Sequence, residues 1–279
     1  MTVPEPGLDI IKSVILGVVQ GITEFLPVSS SGHLVLFQTL FGMKESMLSF
    51  DIAVHAGTLL AVLIYFRKDL FVILADFGKF FLPCVCARGK PGPQKLWFYI
   101  FLTLVPTGMA AVLFKSKIEA AFSDLGLVAV AWLVMGCVLI LSRRFQDGRL
   151  EMTGMGWLRA VGVGTAQAVA LLPGISRSGS TILGGMVCGL RREDAAKFSF
   201  LISIPAILAA IVMDLKDGGL SYFTSHAAET VFGFLAAFIS GYVVIRWFMG
   251  VIQKGKLFIF GYYCLAVGLL SLVLVKYIL

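Results

Sequence analysis

The sequence predicts an all-α polytopic membrane protein of about six transmembrane helices plus two re-entrant helix-loop-helix hairpins, arranged as an inverted-topology repeat. Three observations predict it. Of 279 residues, 58% are hydrophobic and only 14% charged, and the mean hydropathy of +0.94 lies far above that of a soluble domain. Apolar runs long enough for a bilayer core of about 30 Å, which takes roughly 20 helical residues, recur at 50–66, 96–114, 122–141, 195–213, 227–248 and 257–278. Two more apolar segments, 8–42 and 155–190, are interrupted by proline, serine and glycine in nearly the same order.

That shared order extends into a repeat. At an offset of 147, Gly17, Gln20, Ser29, Ser31 and Gly32 fall on Gly164, Gln167, Ser176, Ser178 and Gly179, while Pro27 and Pro173 are 146 apart. At an offset of 148, Phe50, Leu60, Ala61, Lys68 and Asp69 fall on Phe198, Leu208, Ala209, Lys216 and Asp217. The chain therefore reads as a single membrane domain, 1–279, of two halves, 1–145 and 146–279. If 8–42 and 155–190 each enter and leave on one side, every half holds three crossings, and an odd number inverts the second half.

Taken in order, the first hairpin breaks at Pro27, and a new helix is expected close to Gly32 and His33. The crossing at 50–66 leads into 69–82, an apolar stretch interrupted by Asp76 and Lys79, which reads as an interfacial helix. Residues 83–95, with three prolines and two glycines, read as a cytoplasmic loop. After the crossings at 96–114 and 122–141 the second hairpin breaks at Pro173, with its new helix expected near Gly179 and Ser180. Three crossings complete the chain. On this topology sixteen of the 23 lysines and arginines fall on one side, six on the other, and Arg177 inside a hairpin. The positive-inside rule assigns the sixteen to the cytoplasm and puts both termini outside.

The net charge of +7 thus reports topology, and no nucleic-acid partner is expected. Five scattered cysteines give no disulfide framework, and the pair Cys84 and Cys86 lacks the further ligands of a metal site. No positively charged leader with a cleavage site precedes the first apolar segment.

Broken backbone at membrane depth is tolerated where protein buries it or water reaches it, so the two loops are expected to line a cavity. Each loop exit starts a helix, whose first turn offers N–H groups to an anion. Into that geometry come "SSSGH" and "SRSGST". Ser29, Ser31, Gly32, Ser176, Ser178, Gly179 and Thr181 are the candidate diphosphate contacts, and Arg177 offers a fork of donors suited to phosphate. An unpaired arginine at this depth is costly, which makes an anion its expected partner. Glu24 lies one turn before Pro27 and four residues after Gln20, so both share a face. That pair can hold a divalent cation through oxygen, Mg2+ or Ca2+, or Glu24 can act as a base, or simply pair with Arg177. Ser30 and His33 are the candidate nucleophiles, and His33 can also exchange a proton. His55 reads as a helix-packing residue, Asp51 as a first-turn cap, and His226 as solvent-exposed.

With "EFLPVSSSGH" and "LPGISRSGST" in hand, the chain resembles the bacterial undecaprenyl-diphosphate phosphatases, also known as bacitracin-resistance proteins. The resemblance covers essentially the whole length, through a Gln20-to-His33 signature and a Pro173-to-Thr181 signature. It implies hydrolysis of a C55 isoprenoid diphosphate to the monophosphate carrier lipid of cell-wall synthesis. It also implies support from a divalent cation and a site opening toward the outer face of the plasma membrane. Carried over by position, it implies functional roles for Gln20, Glu24, Ser30, His33, Ser176, Arg177 and Thr181. Gln20 stands where the family also uses glutamate, and it cannot ionise. The partners implied are the polyprenyl diphosphate and the lipid bilayer, and a homodimer is compatible. Inverted repeats also build transporters, so a carrier of the polyprenyl phosphate is the alternative. A lipid phosphatase class with P-S-G-H and S-R-x-x-x-x-x-H motifs is disfavoured, because Leu183 stands where its second histidine would be.

Overall fold

The computed structural model describes residues 8–43, 47–81, 95–145, 147–216 and 219–277. Most of these residues are helical, and among them no strand forms beyond one bridge between Leu150 and Leu190. In order the helices are α1 (Ile10–Phe25), α2 (Ser30–Leu40), α3 (Leu48–Tyr65), α4 (Arg67–Phe81), α5 (Leu96–Leu113), α6 (Lys115–Ala121) and α7 (Leu125–Leu141). They continue as α8 (Trp157–Val169), α9 (Arg177–Val187), α10 (Arg192–Lys216), α11 (Gly219–Ser225), α12 (Ala227–Gln253) and α13 (Ile259–Tyr277). Helices α3, α5, α7, α10, α12 and α13 are long and apolar enough to cross a membrane, matching the six expected spans. The stretch read as interfacial is α4, whose Phe71, Leu74 and Phe80 are exposed. Most of the loop at 83–95, with Cys84 and Cys86, lies outside the described residues.

Of the other helices, α1 with α2 and α8 with α9 form two hairpins. Asp9 starts α1 by accepting the Lys12 N–H at 2.8 Å. The helix ends because Leu26 precedes Pro27 and is driven to an extended conformation, φ −74° and ψ 147°. Both new helices begin earlier than expected, at Ser30 and Arg177 rather than near Gly32 and Gly179. The reason is side-chain capping: Ser29 Oγ accepts the Gly32 N–H at 3.3 Å, and Ser176 Oγ accepts the Gly179 N–H at 3.1 Å.

Close crossings through small residues hold the bundle, as expected where lipid removes any hydrophobic preference between helices. Helix α1 packs on α12, and α8 packs on α5. A Cβ on Gly17 would come within 2.9 Å of Ala236 Cβ, and one on Gly164 within 2.8 Å of Pro106 Cγ. Helix α7 lies against both loops, and α13 joins it at the first. Trp132 of α7, fully buried, donates its Nε1–H to Val28 O at 2.8 Å, and Cys264 of α13 lies 3.6 Å from Pro27 O.

Candidate active site

The two loops meet. Ser29 takes the left-handed value φ 66°, a strained conformation for a residue with a Cβ. Its hydroxyl oxygen offsets that strain by accepting the Gly174 N–H of the other loop at 3.0 Å as well as its own cap bond. In return Ser178 donates to Leu26 O at 2.9 Å. Gly174, at φ 91°, leaves no room for a side chain, since a Cβ there would lie 2.6 Å from Ala131 Cβ.

This joint brings Glu24 and Arg177, 153 residues apart, into contact. Glu24 is 7% exposed, and its Oε1 accepts from Arg177 Nη2 at 2.6 Å. Its Oε2 accepts from Ser30 Oγ at 2.6 Å and from Gln20 Nε2 at 2.9 Å. Arg177 is therefore paired rather than waiting for an anion, the outcome the sequence reading had ranked below a ligand. Its second nitrogen, Nη1, donates to Ser199 O at 3.0 Å. Thr181 steadies that end of the helix, donating to Arg177 O at 2.8 Å and lying 2.6 Å from Ser199 Oγ.

A cavity of about 270 Å³ opens beside this cluster. Its polar wall is Glu24, Ser29, Ser30, Ser31, Asp51, His55 and Arg177, and its apolar wall includes Leu34, Ile52, Phe122, Leu171, Ile175 and Ile207. Gly32, Ser176, Ser178, Gly179 and Thr181 stand behind this surface as caps and braces. His33 also lies off the cavity wall and is 3% exposed. One ring nitrogen, Nδ1, is 2.8 Å from Ser29 O and the other, Nε2, 2.8 Å from Tyr263 OH. The carbonyl only accepts, so Nδ1 carries the proton and Nε2 accepts from the tyrosine. The ring stacks on Tyr263 and meets Trp132 edge-on.

Three sequence readings need correction. His55, read as a packing residue, reaches the cavity with Nε2 3.5 Å from Glu24 Oε2. Asp51 does not cap α3, whose N-cap position is Met47. Its carboxylate is buried and accepts from Gln38 Nε2 at 2.7 Å. His226 is half-buried and stacked on Tyr222 at 4.6 Å rather than solvent-exposed. The signal for the first two was present in sequence, because Leu48, Asp51, Ile52 and His55 follow the i, i+3, i+4, i+7 spacing of one helix face.

A family model described as bacitracin resistance protein BacA matches residues 13–270. The chain belongs to that family. Relatives named undecaprenyl-diphosphatase resemble it along nearly their whole length. One from Methanobrevibacter smithii is 45% identical over 270 residues, covering 94% of this chain and 96% of the relative. One from Carboxydothermus hydrogenoformans is 42% identical, covering 94% and 96%, and one from Thermobifida fusca is 40% identical, covering 97% and 91%.

Proposed function

We infer that this membrane protein hydrolyses undecaprenyl diphosphate to undecaprenyl phosphate and orthophosphate, regenerating a carrier lipid for cell-wall synthesis. The observation that carries the reading is the hydroxyl of Ser30 donating to a buried carboxylate that Arg177 clamps from its other side. A carrier needs anion binding but no such activated hydroxyl, so this contact favours hydrolysis over lipid transport.

In the first step Ser30 Oγ attacks the terminal phosphorus while its proton passes to Glu24. The bond from that phosphorus to the bridging oxygen breaks, and the departing lipid monophosphate takes the proton. Water then attacks the phosphoserine, gives a proton to Glu24, and Glu24 returns it to Ser30 Oγ as orthophosphate leaves. Arg177, the hydroxyl of Ser31 and the first turn of α2 face the charge spread over the phosphoryl oxygens. The apolar side of the cavity, Phe122, Leu171 and Ile207, suits the isoprenoid nearest the diphosphate.

The residues present fit a divalent cation that arrives with the substrate. Gln20 Oε1 is buried without a hydrogen-bond partner, next to Glu24. Among the described residues no three His, Cys, Asp or Glu side chains converge on a metal position, so the substrate and water would furnish most of the oxygens. Glu24 and Arg177 already neutralise each other, which leaves the diphosphate's charge to be balanced. Gln20 and Glu24 would hold the Mg2+ or Ca2+, whose chemistry is to neutralise the diphosphate.

We place the protein in a bacterial plasma membrane, with re-entrant hairpins in inverted repeats and the cavity mouth on the outer side. In support, the cavity is lined near the start of α3, by Phe122 between α6 and α7, and by the second half of α10. Arg143, Arg144, Arg191, Arg192, Lys254 and Lys256 gather at the opposite ends of the spans. The 11 residues of α2 and of α9 reach only about 16 Å each, too short to cross.

Phosphate release by the purified protein, with and without EDTA, tests the reading. Ser30→Ala and Glu24→Gln are each expected to lower kcat by at least about a thousandfold, and full activity in either variant would exclude the mechanism.

A further inference from the structure

The face of α3 that lines the cavity carries two polar groups that the hydrolysis above leaves unused, Asp51 and His55, and His55 is the one that reaches the reacting carboxylate. His55 Nδ1 lies 2.6 Å from the backbone oxygen of Asp51, one turn earlier. That oxygen can only accept, so Nδ1 is the donor and the ring is aimed by its own helix. The aim carries Nε2 to within 3.5 Å of Glu24 Oε2, the oxygen that also receives the Ser30 hydroxyl.

Packing does not account for a histidine there. Its neighbours on the wall, Ile52, Ala206 and Ile207, are apolar, and the side chain remains 26% exposed toward the cavity. A leucine would fill such a place with no polar edge to satisfy. The polar group that His55 does face is the Glu24 carboxylate. Arg177 fixes Oε1 and Gln20 approaches Oε2 from within α1, but the cavity side of Oε2 is bounded by Ser30 and His55. A separation of 3.5 Å is long for a hydrogen bond, as resting sites often are before substrate tightens them.

We propose that His55 is a positioning residue for the hydrolysis: as an imidazolium, with Nδ1–H on Asp51 O and Nε2–H toward Glu24 Oε2, it holds the Glu24 carboxylate in line with the Ser30 hydroxyl. The proposal rests on Ser30 and Glu24 being the reacting pair. His33, by this account, supports the loop instead, holding Ser29 in its left-handed conformation through the Nδ1 bond.

The test is steady-state hydrolysis of undecaprenyl diphosphate by the full-length protein in detergent, with thermal unfolding followed in parallel. His55→Leu is expected to lower kcat by about 10- to 100-fold while KM stays within about twofold, as when a reacting group is misaligned rather than removed. His55→Gln keeps an N–H of similar reach and is expected to recover most of kcat, whereas the shorter His55→Asn is expected to behave like leucine. If the leucine variant fails to fold, the glutamine–asparagine comparison carries the same discrimination. Wild-type kcat in His55→Leu, equal losses in the glutamine and asparagine variants, or a loss confined to KM would each overturn the assignment. Glu24→Gln serves as the control: activity there would sink the reacting pair itself. An inactive Glu24→Gln beside a fully active His55→Leu would remove only the role of His55.

Discussion

Hairpin α1–α2 and hairpin α8–α9 share three devices at matched positions: Gly17 and Gly164 at tight crossings, Gln20 and Gln167 buried on the inner face, Ser29 and Ser176 as helix caps. At the same offset the chemistry parts company. Glu24 corresponds to Leu171, and Ser30 corresponds to Arg177. One hairpin supplies a hydroxyl and a carboxylate, the other a cation and an apolar wall, and the cavity lies where they meet. Scaffold and reactivity are thus under separate constraints. Cap and crossing positions answer to backbone geometry, which both hairpins share, whereas the groups one residue past each cap are free to differ.

The strongest attempt to break this comparison is Arg177→Lys. A lysine keeps the charge but loses the fork that reaches Glu24 and Ser199 together, so kcat is expected to fall on the order of a hundredfold in a phosphate-release assay. Near-normal activity would mean that charge alone, and not the joint between hairpins, is what the second loop contributes. Next come the shared crossings. Gly17→Val and Gly164→Val each press a side chain into a neighbouring backbone, and overpacking of this kind costs about 1–3 kcal/mol. Thermal unfolding in detergent is expected to show comparable losses for the two, and a large inequality would deny that the hairpins are equivalently built. The smallest effect is expected at the caps, where Ser176→Ala should cost about 1 kcal/mol. Ser29→Ala should cost more than that, because Ser29 Oγ also receives Gly174 N–H and sustains a left-handed residue.

The six spans and the helix breaks at the two proline loops were legible because hydropathy and proline position are local signals. The caps were legible in part. Pro27 stands two residues before Ser29 and Pro173 three before Ser176, so the prolines are one residue out of step while the caps keep register. The extra residue sits in the second loop, and reading the helix start from glycine instead of serine set it too late. Pairing of Arg177 with Glu24 could be named as an option but not chosen, since nothing within 153 residues of chain fixes their distance. His55 was misjudged for a related reason: its repeat partner is Ser203, and a position whose counterpart is small and buried reads as packing. Only the neighbouring α1 shows that the same helix face looks onto a carboxylate.

The bonds from Ser29 to Gly174 and from Ser178 to Leu26 tie the two loops to each other over the Trp132 floor. Each hairpin is thereby indexed to the other through backbone atoms at the loop tips, so the distance between the Ser30 hydroxyl on one and the Arg177 guanidinium on the other is set before any ligand arrives. The strained turn at Ser29 is part of that gauge: releasing it would let the two halves of the site drift apart without removing a single reacting group.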